Sequence, residues 1–174
     1  MTDPRADFLH RALSGVPGYQ LLSADNPLVF DTDQGRYSAH ISSIHDSGAG
    51  RSNPDEERIQ IPRYASDTQR ARVAEGITPL FIGFSPDGEV FTAWDAEYVF
   101  SHNQENYGTV YDRQSHDQLA RDHGVKLRSF YAKNLGRRST TISAPANALQ
   151  NYIQMAGHIH AAKNDEEAYK LLYG

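Results

Sequence analysis

The segment from Thr78 to Trp94 reads TPLFIGFSPDGEVFTAW and predicts a β-hairpin near the middle of the chain. Two apolar runs, Leu80–Phe84 and Val90–Trp94, flank the tetrapeptide Ser-Pro-Asp-Gly. The proline presets its own φ angle and the glycine accepts a positive one, so the two runs can fold back on each other. The hairpin therefore predicts antiparallel pairing at the centre of the sequence.

Outward from the hairpin, strand and helix patterns alternate. Further strand candidates are Tyr19–Leu22, Leu28–Phe30, Arg36–Ile44, Arg58–Ile61, Val125–Tyr131 and Ser139–Ser143. Helix starts are predicted at Asp3-Pro4, Ser66, Ser115, Pro145 and Asn164, and helix ends at Gly76 and Gly124. This order predicts one α+β domain over residues 1–174, with an antiparallel or mixed sheet flanked by helices and no nuclease domain.

Composition narrows the class of protein. The chain has 174 residues, no cysteine, 10% aromatic residues and a formal net charge of −5. The absence of cysteine excludes a disulfide scaffold and a cysteine-ligated zinc site, and the aromatic share favours a folded domain. The N-terminus is too polar for a signal peptide, and no run approaches the roughly 20 apolar residues of a membrane span. We therefore expect a cytoplasmic protein without a membrane partner.

No motif makes a positive case for catalysis. Pro86–Val90 begins like a metal-dependent nuclease core, but Val90 stands where such a core has its lysine. His158 and His160 are two residues apart, whereas zinc-binding pairs on a helix prefer a spacing of three or four. The chain also has no nucleophile elbow, phosphate-binding loop or dinucleotide fingerprint. We therefore expect a protein that is not an enzyme and has no metal or other cofactor.

Cations are concentrated in one segment. Between residues 121 and 140 they are Arg121, Lys126, Arg128, Lys133, Arg137 and Arg138, opposed by Asp122 alone. With six cations and one acid the segment carries +5, so the rest of the chain carries −10. This separation suits a protein that holds DNA on one face, with Phe130, Tyr131 and Asn134 interleaved among the cations. A solvated face on two strands remains the alternative.

A second candidate site is the junction Ser143–Ala148, which reads SAPANA and leads from a strand into a helix. Pro145 lacks an N–H group, and the free amides of the first helical turn face outward with a partial positive charge. The alanine methyl groups and the proline ring would form a shallow apolar socket beside the cationic segment. An ordinary helix start packed on its own sheet is the equally open alternative.

Several short motifs follow the order seen in one known family. They are Gly50-Arg51, Glu57–Gln60, Phe91–Asp95, Gln114-Ser115, Arg137–Ser139 and Pro145-x-x-Ala148. Over most of its length the chain resembles the sulfur-binding domain of type IV, modification-dependent restriction endonucleases of actinobacteria. The resemblance implies a recognition module for double-stranded DNA that carries a phosphorothioate, in which sulfur replaces one non-bridging phosphate oxygen. It also implies a nuclease domain in the parent protein.

The resemblance also assigns the residues of a sulfur pocket. Pro145 and Ala148 match the family's proline and alanine, and Ala144 stands where the family can have an aromatic residue. The histidine and arginine that border the pocket correspond to His102 or His116 and to Arg113. Together with the charge pattern, the predicted DNA contacts are Arg51, Ser52, Asn53, Lys126, Arg128, Tyr131, Lys133, Arg137, Arg138, Ser139 and Asn147.

The physics of sulfur agrees with such a socket. Sulfur is larger and more polarisable than oxygen and accepts hydrogen bonds poorly, so an apolar socket removes its water at lower cost. A phosphate oxygen in the same socket would lose its water without a replacement hydrogen bond, at a cost of about 1–3 kcal/mol. This cost corresponds to an affinity about one to two decades lower for the unmodified linkage. Arginines at the rim would hold the remaining charge, and Arg51, Asn53, Arg137 and Arg138 could read base edges.

Three other functions stay open. A reader of methylated bases would need an aromatic cage or a pocket for a flipped base, with Tyr107, Tyr111 or Tyr131 as candidates. A metal-dependent nuclease with an unrecognised site would use Asp87 and Glu89. A protein-interaction module would use the acidic surface.

Overall fold

The computed structural model describes residues 3–46, 55–102 and 107–174, with the side chains of residues 45, 46 and 107–109 excepted. Its helices are α1 (Pro4–Leu13), α2 (Arg63–Ala74), α3 (Ala96–His102), α4 (Gln114–His123), a 3-10 turn (Ala146–Ala148), α5 (Leu149–His160) and α6 (Asp165–Tyr173). The loop with the predicted DNA contacts Arg51, Ser52 and Asn53 lies outside the described residues, as does the Tyr107 side chain. None of the described helices is long and apolar enough to cross a membrane.

The strands form two sheets. They are β1 (Gln20–Ser23), β2 (Leu28–Thr32), β3 (Gly35–Ser43), β4 (His45–Asp46), β5 (Glu56–Pro62), β6 (Thr78–Phe84), β7 (Val90–Trp94), β8 (Tyr107–Arg113), β9 (Lys126–Ala132) and β10 (Arg137–Pro145). The large sheet has the order β1-β2-β3-β6-β7-β10-β9, antiparallel except for the parallel pair β3 and β6. The small sheet, β4-β5-β8, is antiparallel. The chain is therefore a single α+β domain with a mixed sheet flanked by helices, as the sequence predicts.

The central hairpin forms as predicted between β6 and β7. Its turn is closed by the Ser85 N–H, which donates to the Val90 carbonyl at 2.9 Å. Gly88 adopts a φ angle of 71°, which favours glycine over any residue with a side chain. Asp87 Oδ1 accepts from the Ser85 hydroxyl at 2.7 Å, so this aspartate stabilises the turn.

One face of the large sheet, which we call the apolar face, carries the main core. Along β3 its side chains are Tyr37, Ala39 and Ile41, which alternate as predicted. The same face continues across β6, β7 and β10 with Leu80, Ile82, Phe91, Ala93, Ile142 and Ala144. Helices α1, α5 and α6 cover it, and Phe8 of α1 is fully buried there.

The opposite face of the large sheet, which we call the polar face, carries a different set of side chains. Its buried polar residues include Ser38, His40, Thr92, Ser139, Thr141 and Ser143. A smaller core of Ile44, Ile59, Ile61, Ala65, Phe81, Trp94, Val99 and Val110 packs beside them. Helices α2, α3 and α4 and the small sheet cover this face. Gln69 of α2 illustrates its character, because its Nε2 donates to the carbonyls of Ser38 and Leu80 at 2.8 and 3.0 Å.

Two helices begin earlier than the sequence predicts. The prediction that Ser66 caps a helix is wrong, because α2 begins at Arg63 and the Ser66 side chain is buried. Ser115 is likewise not a cap, because α4 begins at Gln114. The Ser115 hydroxyl donates to Asp55 in the small-sheet region instead. At α4, Asp55 therefore takes the place of a local cap, because it also accepts from the Ser115 N–H at 2.9 Å.

Other element ends follow from local residues. Asp3 caps α1 by accepting from the Arg5 N–H at 2.9 Å, and Asn164 caps α6 by accepting from the Glu167 N–H at 2.9 Å. Gly124 ends α4 with a φ angle of 91°. These three ends agree with the sequence prediction, whereas α3 and β8 are elements that the sequence analysis does not predict.

Candidate functional site

A network of buried polar side chains crosses the polar face. Thr92 of β7 and Ser143 of β10 are register partners, and their hydroxyl oxygens lie 2.8 Å apart. The Ser143 hydroxyl donates to Asp112 at 3.0 Å, and the Thr92 hydroxyl contacts Asp117 at 3.2 Å. The network thus joins two strands of the large sheet to β8 and α4.

Asp112 has a partner at each carboxylate oxygen. Asp112 is only 2% exposed. One of its carboxylate oxygens accepts from the Ser143 hydroxyl, and the other lies 3.0 Å from Nδ1 of His116. A buried carboxylate is costly unless it is hydrogen-bonded. Ser143 and His116 therefore stabilise this acid inside the fold.

Glu57 and Asp117 form a second pair of acids. Glu57 is 4% exposed at an inward-facing position of β5. Burial and a hydrogen bond with Asp117 raise the pKa of Glu57 well above its usual value, and the charges of Asp112 and Asp55 raise it further. Burial also raises the pKa of Asp117. Two acids in hydrogen-bond contact cannot both ionise readily, which favours a proton shared between them.

A cavity of about 300 Å³ opens beside this pair. Its lining residues are Ile44, Glu57, Ser85, Pro86, Gln114, Asp117, Gln118 and Arg121. The Arg121 guanidinium is held by Asp87 and Glu89, each at 3.0 Å, and it holds the pKa of Asp87 well below its usual range. Glu57 Oε1 has no hydrogen-bond partner in the part of the chain that the structure describes. Glu57 therefore has one buried oxygen that is unsatisfied.

The residues of the predicted sulfur socket lie mostly inside the core. Ala144 and Ala148 are 0% and 1% exposed, and their methyl groups pack in the main core. Strand alternation turns Ala144 toward the apolar face, so these methyl groups do not line an open socket. Pro145, opposite Val90 in the register, is partly exposed. This geometry favours the ordinary helix start over the socket.

The two candidate histidines have different surroundings. His102 is exposed at the end of α3, with its ring stacked on Tyr98 at a centroid distance of 5.3 Å. His116 is mostly buried and contacts Asp112 in the polar network. Arg113 is exposed immediately before α4. The structure therefore brings His116, and not His102, into the network with Ser143.

Half of the cations between residues 121 and 140 are paired with acids from elsewhere in the chain. Lys126 contacts Asp165 at 3.3 Å. Arg137 contacts Asp95 at 3.4 Å and also pairs with Glu97. The third is Arg121, which lines the cavity and pairs with Asp87 and Glu89. The charge separation inferred from the sequence therefore overstates the cationic surface that is free for a polyanion.

Two of the three remaining cations, Lys133 and Arg138, lie near the end of the β9–β10 ribbon. Tyr131 is 61% exposed and lies opposite Arg138 in the register. Lys133 and Asn134 follow in the turn and are exposed. Arg138 and Lys133 form no ion pair with any described residue. We call Tyr131, Lys133, Asn134 and Arg138 the ribbon tip.

The other predicted DNA contacts are more varied. Arg128 donates to the Tyr111 carbonyl at 3.2 Å, and its guanidinium lies 5.2 Å from the centre of the Phe130 ring. Ser139 is buried and donates to a carboxylate of the polar face. Asn147 is exposed in the 3-10 turn. Of these, Asn147 alone has a freely exposed side chain.

The residues considered for metal chemistry have other partners. Asp87 and Glu89 hold Arg121 at the central hairpin, as described above. His160 is buried, 2.7 Å from the Tyr152 hydroxyl, and its Nδ1–H donates to the Thr140 carbonyl at 2.7 Å. In the described ranges no group of three or more His, Asp or Glu residues is arranged to hold a metal ion.

Residues 35–153 match the model of one protein family, which is described as methylase-associated X1. The matched range is roughly two thirds of the chain and contains the whole polar network and the ribbon tip. The chain belongs to this family. The description associates the domain with methylases and thus with restriction–modification systems. No curated protein and no solved structure matches the chain.

The sequence analysis missed the polar network of this methylase-associated domain, which we also call the acid network because it is built around Glu57, Asp112 and Asp117. One signal was available: Glu57 precedes Ile59 and Ile61 at alternate positions of β5. A charged residue in the register of buried isoleucines is a candidate for a buried acid. Asp112 and Asp117 had no such signal, since their burial depends on residues far away in the sequence.

Proposed function

We propose that this methylase-associated domain is a DNA-recognition module of a restriction–modification system, which acts by binding rather than by catalysis. The observation that carries the proposal is the ribbon tip, where an exposed tyrosine lies beside two exposed cations that have no acidic partner among the described residues. Family membership supplies the context, because the methylases of such systems modify DNA.

The ribbon tip suits DNA for two physical reasons. Lys133 and Arg138 can contact phosphates, and each such contact releases counterions and makes binding salt-dependent. A two-stranded ribbon fits the major groove, and the Tyr131 ring offers a surface for stacking. Because Lys126 and Arg137 are already paired with acids, we expect affinity to depend mainly on the cations of the tip.

The test is fluorescence anisotropy with the full chain and a labelled duplex over a range of salt concentrations. We expect Lys133→Ala combined with Arg138→Ala to weaken binding about tenfold and to lower the slope of log affinity against log salt by about 2. Lys163→Ala, an exposed lysine just before α6, is the matched control and should leave both unchanged. Failure of the unaltered chain to bind duplex DNA at low salt would refute the proposal.

A finer hypothesis within this proposal is recognition of a phosphorothioate linkage, with a nuclease domain in the parent protein. It is supported by the resemblance to sulfur-binding domains and by the partly exposed ring of Pro145. Sulfur would gain from contact with this ring, whereas a phosphate oxygen would not. The same duplex with and without one phosphorothioate tests it. Equal affinity for both, or a preference that survives Pro145→Ser, would contradict it.

A further inference from the structure

The end of the β9–β10 ribbon has one covered face and one exposed face. Phe130 lies on the covered face, with the centre of its ring 4.8 Å from that of Tyr98 in α3. Tyr131 and Arg138 are register partners, so strand alternation places both on the opposite face, where both are exposed. The ribbon therefore presents one face to a partner while α3 supports the other.

Two further contacts fix the ribbon on α3. The Asn134 amide in the turn donates to the Ser101 carbonyl at 3.0 Å. Arg137 pairs with Glu97 in the first turn of α3, and its Nη1 also donates to the Arg138 carbonyl at 3.0 Å. The backbone that carries Arg138 is thus held from the covered face, which leaves its side chain to act on the exposed face.

The Arg138 guanidinium is positioned by a neighbour on its own face. Its Nε donates to the hydroxyl of Ser129, which lies two residues before Tyr131 on β9. The two terminal Nη groups form no hydrogen bond to any residue that the structure describes. A guanidinium held through Nε presents these groups as a planar fork of side-by-side donors. Lys133 in the turn has instead a compact charge on a flexible stem.

Such a fork matches one base in the major groove. Guanine presents N7 and O6 there as two neighbouring acceptors, whereas adenine pairs an acceptor with a donor. Thymine offers one acceptor and cytosine one donor. Arg138 lies on the face of the ribbon, so a ribbon inserted in the groove directs it toward base edges. Lys133, in the turn, can reach the phosphate backbone.

We propose that Arg138 gives the ribbon tip its sequence preference, through a bidentate contact of its Nη groups with N7 and O6 of a guanine in duplex DNA. Ser129 is the positioning residue that orients the fork. The inference deepens the proposed DNA-binding function and rests on it. Lys133 contributes affinity without sequence preference, and Arg137 acts only through the backbone of Arg138.

The experiment measures fluorescence anisotropy of the full chain with two duplexes of the same mixed sequence. One contains guanine and the other 7-deazaguanine, in which a C–H group replaces N7 while base pairing is kept. We expect the guanine duplex to bind at least about fivefold more tightly, the lower end of the effect of a bidentate base contact. Equal affinity for the two duplexes would overturn the proposal.

A third duplex locates the contact in the groove. Inosine in place of guanine keeps N7 and O6 and lacks only the amino group in the minor groove. Affinity for the inosine duplex should therefore stay within about twofold of that for the guanine duplex. A loss with inosine that matches or exceeds the loss with 7-deazaguanine would place the contact in the minor groove and overturn the proposal.

Two alanine variants separate charge from base reading. Arg138→Ala and Lys133→Ala each remove one cation, so each should weaken binding and lower the salt slope by about 1. Arg138→Ala alone should abolish the preference for guanine over 7-deazaguanine, and Lys133→Ala should retain it. A preference that survives Arg138→Ala, or one that disappears in Lys133→Ala, would contradict the assignment to Arg138.

The role of Ser129 is tested without a change of charge. Ser129→Ala leaves the guanidinium in place but removes the acceptor for Nε, so the preference for guanine should fall at least about twofold while the salt slope stays the same. Ser129→Thr keeps the hydroxyl group and should restore the preference. An undiminished preference in Ser129→Ala would refute the positioning role.

The outcomes also separate this inference from the proposed function. Duplex binding at low salt without any preference for guanine would refute the inference and leave the DNA-binding function intact, with Arg138 as a phosphate contact. Failure to bind any duplex would refute the DNA-binding function and the inference with it. Tighter binding to a single strand of the same sequence than to the duplex would overturn reading in the groove in favour of stacking on Tyr131.

Discussion

The two faces of the large sheet solve the problem of burial in different ways. The apolar face is filled by aliphatic and aromatic side chains from all of the central strands under α1, α5 and α6. The polar face buries hydroxyl, amide and carboxyl groups, and Glu57, Gln69 and Thr141 each have a buried oxygen without a partner in the described residues. Unpaired buried polar groups lower the free energy of unfolding. The difference therefore teaches that burial on the apolar face contributes most of the stability and offsets the cost of the polar groups buried on the other face.

The largest expected effect is on the apolar face. Phe91 of β7 is fully buried and its ring lies 5.5 Å from that of Tyr152. Phe91→Ala should lower the free energy of unfolding by about 3–5 kcal/mol, because it removes buried apolar surface and leaves a cavity. Urea denaturation followed by circular dichroism measures the change. A loss under about 1 kcal/mol would contradict the view that this face dominates stability.

A smaller loss is expected where the polar face is well satisfied. Ser143→Ala removes the donor to one oxygen of Asp112 and the partner of the Thr92 hydroxyl. The free energy of unfolding should fall by about 1–3 kcal/mol, the cost of leaving buried polar groups unpaired. Ser14→Ala, at an exposed serine after α1, is the control and should stay within about 0.5 kcal/mol. Equal effects of the two changes would show that the network contributes nothing.

Glu57→Gln should stabilise the protein, in a way that depends on pH. The raised pKa of Glu57 means that the folded state binds a proton that the unfolded state releases above about pH 4.3. Stability of the unaltered chain therefore falls as pH rises through neutrality, by at most about 1.4 kcal/mol per pH unit, until the raised pKa is passed. The glutamine variant lacks this proton, so its advantage should widen from pH 5 to pH 8.

Thermal unfolding of both proteins at several pH values checks this prediction. Glu56→Gln, one position away on the outward-facing side of β5, serves as the matched control, and its difference from the unaltered chain should not widen in the same way. A constant difference for Glu57→Gln across this range would contradict the shared proton.

The smallest effect on stability is expected at the ribbon tip. Arg138 is exposed and its Nε donates to the Ser129 hydroxyl at 3.1 Å. Arg138→Ala should change the free energy of unfolding by no more than about 0.5 kcal/mol, while it weakens DNA binding. Denaturation and anisotropy on the same preparation separate the two readouts. A large loss of stability would mean that this end of the sheet is part of the core.

Local patterns predicted the elements of the apolar face well. Tyr37, Ala39 and Ile41 alternate along β3, and both the central turn and the Asn164 cap lie where the sequence places them. These features depend on residues within a few positions of one another. The parallel pairing of β3 with β6 and the position of β8 in a separate sheet depend on partners far along the chain, so no local pattern indicated them.

The candidate site was harder to predict for a physical reason. A carboxylate is ordinarily exposed, and Asp112 becomes a buried acid only because Ser143 and His116 supply hydrogen bonds to it. The same limit applies to the cationic segment, since Lys126 and Arg137 are compensated by acids from α6 and from the start of α3. Charge counted along a sequence does not show which charges meet in space.

The acid network has a consequence for how the chain folds. Its members come from β5, β7, β8, α4 and β10, so Glu57 and Ser143 are brought together only after most of the domain has closed on itself. Contacts between such distant residues form after the loops between them have lost their entropy. Protection of the Glu57 region from hydrogen exchange should therefore be among the last to develop during refolding, and the cavity beside Glu57 would exist only in molecules that have completed folding.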